Sequence, residues 1–280
     1  MLTNDQKAFY AENGYIVVRG LLSPEEAEGF RAETQALMER ISQYRNIDAT
    51  WASAKAMTEK KTVLQHCHDV QFQSAAFARL IVDERLTGVA ADIIGPNVQL
   101  HHTKSFVKPP EKGSPFPLHQ DAPFFPHDNH SMIAAILHFD DAPLEKGCVC
   151  VVPGSHKRGI LPHIGEGSWH LDPKEYPLSE AIPLPAKAGD VVFFSYLTIH
   201  GSGVNESNEA RTTLLIQMRD PLDPPTIRTH ESRGQGMMLR GMDPSCGNTK
   251  PSSETTGATP AMGMGGGAMM GGAMGMGGKG

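Results

Sequence analysis

The segment Pro117-Leu118-His119-Gln120-Asp121 sets a histidine and a carboxylate two residues apart. On an extended chain that spacing sends both side chains to one face. A second histidine, His200, closes the run VVFFSYLTIH, which reads as a buried strand carrying the histidine at its end. Two histidines and one carboxylate are the donor set of a facial triad, which holds Fe(II) on three positions and leaves three for a co-substrate and O2. His119 and Asp121 alone are a weak signal, since such pairs also occur in surface turns. Arg211 adds the third part, opening the strand pattern RTTLLIQM eleven residues after His200. A strand returning beside His200 would aim the guanidinium into the same cavity, where it can grip a carboxylate with two hydrogen bonds. A triad with a carboxylate anchor is what 2-oxoglutarate needs. One end of that acid chelates iron and the other meets the arginine. His119, Asp121 and His200 are therefore the catalytic and metal-ligating candidates.

These residues must be positioned by strands. From residue 98 onward, segments 98–107, 117–121, 132–139, 148–152, 182–184, 190–196 and 211–218 read as strands broken by Pro and Gly. Seven short strands with turn signals between them predict a double sheet of the jelly-roll kind. No strand–helix alternation follows, which argues against a Rossmann-type sheet. The first 97 residues read as a supporting helical layer. Thr3 with Gln6 and Ser23 with Glu26 form capping boxes, and Pro24 suits a first helical position. Asn13-Gly14 stops the first helix, a strand over 15–19 follows, and the second helix runs to about residue 44. Residues 45–70 are less regular. Phe77, Leu80, Ile81, Leu86, Val89, Ala90 and Ile93 predict one helix over 77–94, closed by Gly95-Pro96.

The chain has 280 residues, 39% of them hydrophobic, enough for a sizeable core. Lys and Arg total 25 against 31 Asp and Glu, a net charge of −6 that argues against a nucleic-acid partner. No apolar run approaches the ~20 residues a membrane span needs, and no secretory leader is expected. Cys67, Cys148, Cys150 and Cys246 contain no Cys-x-x-Cys pair and read as reduced thiols, so a cytoplasmic location is expected. Thirteen histidines invite a search for a metal or acid–base site. Residues 261–280 contain 10 Gly and 6 Met, with no pattern to bury. With the linker-like stretch 243–260 they are expected to form a disordered tail behind an oxygenase domain over 1–242 (helical layer 1–97, jelly-roll core 98–242).

Several motifs occur in a recognisable order: NGYIVVRG at 13–20, Gly95-Pro96-Asn97, Lys108-Pro109-Pro110, Leu118-His119-Gln120-Asp121, the segment 147–152, PGSHK at 153–157, Gly189-Asp190, HGSG at 200–203, and Arg211. Through them the chain, from about residue 6 to residue 221, resembles the phytanoyl-CoA dioxygenase family of Fe(II)/2-oxoglutarate oxygenases. The resemblance implies a fold that is mainly β with supporting α-helices, a double-stranded β-helix of the cupin-like jelly-roll type. It implies Fe(II) on His119, Asp121 and His200, with 2-oxoglutarate and O2 as co-substrates. Arg211 would bind the far carboxylate of 2-oxoglutarate and Ser202 would add a hydroxyl. The products would be succinate, CO2 and a small molecule hydroxylated at an unactivated C–H. Related halogenases lack the carboxylate, so Asp121 points to hydroxylation.

His102, Lys104 and Phe106 share a face by alternation. Lys104 stands where relatives place a cofactor-contacting residue, so it is a candidate for 2-oxoglutarate or an anionic substrate, and His102 is a candidate beside it. An outward lysine and a core histidine are the competing readings. Gln120 should face away from iron and act behind the ligands. Gln65 or His66 would supply a polar cavity residue, whereas His66 and His68 as a second metal pair have no further partners nearby. His156 reads as structural. His127, Asp128 and His130 read as solvated loop residues near the entrance, and Trp169 as a lid candidate in the loop 159–177. Ala122, Pro123, Phe124 and Phe125 favour a partly hydrophobic substrate, and Lys104, Lys108 and Lys112 read as a solvated local run. The alternative function is a non-catalytic jelly roll that binds a metal or small ligand. A cupin-type hydrolase or isomerase would have no use for Arg211. The oligomeric state is not legible.

Overall fold

A computed structural model of the chain describes residues 1–245 apart from 50, 51, 166, 228 and 230. The helices are α1 (Asn4–Asn13), α2 (Pro24–Ser42), α3 (Ala75–Leu80) and α4 (Glu84–Ile94). The strands are β1 (Tyr15–Val18), β2 (Asp48–Ala49), β3 (Leu64–His68), β4 (Val98–Lys108), β5 (Phe116–His119), β6 (Ile133–His138), β7 (Val149–Val151), β8 (Ile182–Leu184), β9 (Val191–Ser195), β10 (His200–Ser202), β11 (Arg211–Arg219) and β12 (Met238–Arg240). The major sheet runs β1-β9-β6-β11-β4-β3-β2 with β12 added to β4, and the minor sheet runs β5-β10-β7-β8. The two antiparallel sheets make a jelly roll.

Period 2 sorts the side chains into layers. On β9, Val191 and Phe193 pack under the helices with Leu37, Phe77 and Leu86, while Val192 and Phe194 pack with Val149 and Val151 of the minor sheet. On β11, Leu214, Ile216 and Met218 go to the helix side. Arg211, Thr213, Leu215 and Gln217 go to a cavity between the sheets. On β4 a strict alternation would put Leu100 on the face of His102. The register instead slips there, with Gln217 opposite His102 but Met218 opposite Leu100. This bulge at His101 changes the parity, so Leu100 joins the helix-side core while His102 lines the cavity.

Both capping boxes form, and Gly14 stops α1 at φ 77°. A Cβ on Gly14 would collide with the His156 ring and the Thr198 hydroxyl, so only glycine fits this turn. The helix expected over 77–94 is two helices. The Asp83 side chain accepts from the Arg85 amide and caps α4, which interrupts the first helix after Leu80. The apolar pattern runs through the break because Phe77, Leu80, Leu86 and Val89 share one core. The first 97 residues are not purely helical, since β1, β2 and β3 belong to the major sheet. The edge strand β3, of sequence LQHCH, lacks the apolar alternation that would announce it.

Two expectations about strands need correction. His200 does not end the strand that begins at Val191. A turn over 196–199 crosses to the other sheet, where His200 opens β10. Arg211 likewise does not return beside His200, because β11 lies between β4 and β6 in the major sheet. It reaches the cavity from the opposite wall.

Cys67, Cys148 and Cys150 are buried free thiols. Cys246 and the Gly/Met-rich tail from residue 246 on lie outside the described residues. Among the described residues no helix is long and apolar enough to cross a membrane.

Candidate active site

The last residue of β5 and the first of β10 are Cα partners, which sets His119 against His200 with ring centroids 4.2 Å apart. His119 Nδ1 donates to Pro117 O at 2.8 Å and His200 Nδ1 donates to Thr198 O at 2.9 Å. A carbonyl can only accept, so each Nδ1 carries the proton and each Nε2 turns a lone pair inward. The two Nε2 atoms lie 3.7 and 3.6 Å from Asp121 Oδ1. Burial, then the neighbouring His200, hold His119 well below the ordinary imidazole pKa, so it is neutral at pH 7, the form that ligates. Among the described residues this is the one group of three whose donor atoms converge, all within 4.8 Å. Two imidazole nitrogens and one carboxylate oxygen suit Fe(II) with open positions.

Two amides support the triad from behind. Gln217 Nε2 donates to Asp121 Oδ2 at 2.6 Å. Gln120 points away, as expected. Its side chain donates to Gly159 O (2.8 Å) and Leu197 O (2.7 Å) and accepts from Leu161 N (2.8 Å), tying the end of β5 to the loop 159–177.

The other end of the cavity is strongly cationic. Arg211 is buried, donates to Gly147 O, and keeps Nε buried without a partner. Burial draws its guanidinium down to about 10. Lys108, its strand partner on β4, is fully buried and donates to Ser202 Oγ and Gly203 O, each at 2.7 Å. Burial, then Arg211, hold the Lys108 amine well below its usual range. Ser202 accepts from Lys108 and so keeps its own O–H to donate. The Cys148 thiol is pulled down by its hydrogen bond from Cys150 and by Arg211. An orphaned guanidinium nitrogen beside a second buried amine is the observation a carboxylate would answer, so this end fits the far carboxylate of 2-oxoglutarate. The expectation of a solvated Lys108 is overturned. Period 2 from Lys104 through Phe106 already pointed it inward, as the same period from Arg211 points Gln217 inward.

Between the ends lies a cavity of about 440 Å³. His102 and Lys104 both line it. They stand six and four residues from Lys108, roughly 20 and 13 Å along the strand, so neither shares the Arg211 anchor. His102 is opposite Gln217, near the triad, and contacts His101 through Nδ1 atoms 2.7 Å apart. Lys104 extends over the Phe106 ring, 4.9 Å from its centroid, and burial brings its ammonium down to about 8. Of Gln65 and His66, only His66 lines the cavity, with His68 beside it, and burial drops His66 to about 4. Gln65 bonds Asp48 instead. Trp169 and His170 of the 159–177 loop also line the cavity. The sequence offered no signal for His170.

Phe124 and Phe125 line the cavity, while Ala122 packs away from it against Met132 and Tyr196. His127 is buried rather than solvated and donates to Phe125 O, and His130 bonds the Tyr196 hydroxyl at 2.5 Å. Neither they nor the exposed Asp128 line the cavity. His156 docks on the end of α1 at Ala11 O.

The family model described as phytanoyl-CoA dioxygenase (PhyH) matches residues 10–213. The peroxisomal phytanoyl-CoA dioxygenase of Bos taurus is 31% identical over 237 residues, 79% of this chain and 69% of that protein. A Stutzerimonas stutzeri protein described as a probable alpha-ketoglutarate-dependent hypophosphite dioxygenase is 27% identical over 225 residues, 76% of this chain and 77% of its own length. Among solved structures, the non-heme alpha ketoglutarate dependent carbocyclase SnoK from nogalamycin biosynthesis matches with a TM-score of 0.70. It is 21% identical, over 85% of this chain and 95% of that one, which is a likeness of fold.

Proposed function

The chain belongs to the phytanoyl-CoA dioxygenase family, and we propose that His119, Asp121 and His200 hold its iron and that Arg211, Lys108 and Ser202 hold the far carboxylate of its 2-oxoglutarate. The protein is an Fe(II)/2-oxoglutarate-dependent dioxygenase that acts on a small molecule, with O2 as co-substrate. The reading extends to hydroxylation of an unactivated C–H, with release of succinate and CO2. One observation carries it: the three converging donor atoms and the orphaned Arg211 Nε belong to opposite ends of one cavity.

The iron with its chelated keto acid supplies O2 activation, and the protein supplies placement. Arg211 and Lys108 present fixed N–H donors in a dry site, so the co-substrate enters in one orientation. His119 and His200 are held as neutral ligands by backbone carbonyls that fix their tautomers. Phe106, Phe116, Phe124 and Phe125 exclude water and favour a partly apolar substrate. Lys104, still mainly protonated at pH 7, and His102 face the middle and the triad end, where they meet the near carboxylate of 2-oxoglutarate or an anionic group on the substrate. A cytoplasmic location completes the reading, supported by three buried thiols without disulfides.

The test is an anaerobic Fe(II) titration with 2-oxoglutarate, followed by the weak visible charge-transfer band of keto-acid chelation. The band should form, and Arg211→Ala should demand far more 2-oxoglutarate to reach it. Metal binding without the band overturns the assignment.

A further inference from the structure

We propose that Gln217 is a positioning residue that turns Asp121 so that Oδ1 alone faces the metal. The inference rests on the reading of His119, Asp121 and His200 as ligands. Asp121 stands past the end of β5 in the minor sheet, followed by a turn. Gln217 stands in the middle of the major sheet, its backbone paired to His102 on one side and Ala134 on the other. The Gln217 side chain is thus carried on a backbone paired on both sides, while Asp121 stands on a turn.

Its hydrogen bonding is lopsided. Nε2 donates to Asp121 Oδ2 at 2.6 Å, while Oε1 is buried with no partner. A buried acceptor left unsatisfied costs about 1–3 kcal/mol, which an apolar side chain of the same length would avoid. The amide is therefore a poor choice for packing, and what it does uniquely is give Asp121 Oδ2 a donor. With Oδ2 engaged, Oδ1 is the oxygen left 3.7 and 3.6 Å from the two imidazole Nε2 atoms. The count of positions gives this a consequence. Three protein donors leave three open positions, two for the keto acid and one for O2. A carboxylate that swung to bind through both oxygens would take one of them.

The test compares Co(II) binding to the metal-free full chain by its visible ligand-field bands, for wild type, Gln217→Met, Asp121→Ala and the double variant. Methionine keeps the length and removes the donor. The expected result is a 10- to 100-fold loss of Co(II) affinity in Gln217→Met. The metal-free melting temperature should be unchanged or raised, and the effect should vanish when Asp121 is already alanine. Wild-type affinity in Gln217→Met, or the same loss in the Asp121→Ala background, overturns the proposal. A separate control isolates the premise: if His119→Ala binds Co(II) as tightly as wild type, the ligand reading itself has failed.

Discussion

Removing the Arg211 guanidinium leaves its strand partner Lys108 as the buried cation at the proposed co-substrate anchor. Losing one partner of a buried, hydrogen-bonded charge pair costs about 2–5 kcal/mol. Arg211→Ala should therefore raise the Kd for 2-oxoglutarate roughly thirtyfold or more, since each 1.4 kcal/mol is about tenfold. Arg211→Lys should recover only part of it, because a point charge cannot match the planar fork. Lys108→Met should weaken 2-oxoglutarate binding about tenfold, through the contact it loses with Ser202 Oγ. Titration of the charge-transfer band measures all three, and an unchanged Lys108→Met would remove that amine from the anchor. His119, Asp121, His200 and Arg211 were legible as candidate residues, and all four line one cavity. Lys108 was legible by alternation yet reads as solvated until its burial is seen.

At the scale of elements, the proposed anchor depends on a turn. Gly147 sits at φ 65°, and its carbonyl accepts from Arg211. A Cβ there would strike the carbonyls of Gly203 and Val204, just past β10. Gly147→Ala should cost more than about 1 kcal/mol through backbone strain, and it should raise the Kd for 2-oxoglutarate as Arg211 is displaced. Thermal melting and 2-oxoglutarate titration check the two effects. A destabilised variant with normal 2-oxoglutarate affinity would confine the glycine to a folding role. Element boundaries were partly written in local chemistry, as in the capping boxes of α1 and α2. The Asp83 cap hid inside a continuous apolar period, because a helix break that keeps both segments on one core leaves that period intact.

For the whole molecule, occupancy and pH set the stability. Metal binds the folded state, so at a hundred times its Kd it should add about 2.7 kcal/mol. For a domain of this size that is a rise of roughly 5–10 °C in Tm, reversed by a chelator. Acid acts the other way. Burial, then Arg211, depress His138 to about 4, and burial depresses His66 to about 4. Between pH 6.5 and 4 the unfolded chain takes up protons that these folded imidazoles refuse, so stability falls as pH falls through that window. For the fully buried His138 the loss is on the order of 3 kcal/mol. Melts of the metal-free protein from pH 7.5 to 4.5 should show the decline, and His138→Gln should flatten it.

Local chemistry is what the amino-acid sequence determined by itself. Period 2 put His102, Lys104 and Phe106 on one face, the caps started the helices, and the residue types at 119, 121, 200 and 211 named iron and a keto acid. Tertiary structure alone decided which wall each residue stands on. His200 opens a strand of the minor sheet, Arg211 opens one of the major sheet, and the bulge at His101 reverses the facing of β4. The physical reason is that side-chain alternation is a property of one strand. Register, sheet membership and burial are set by pairing with strands far away in the chain, as Tyr15 pairs with Phe194.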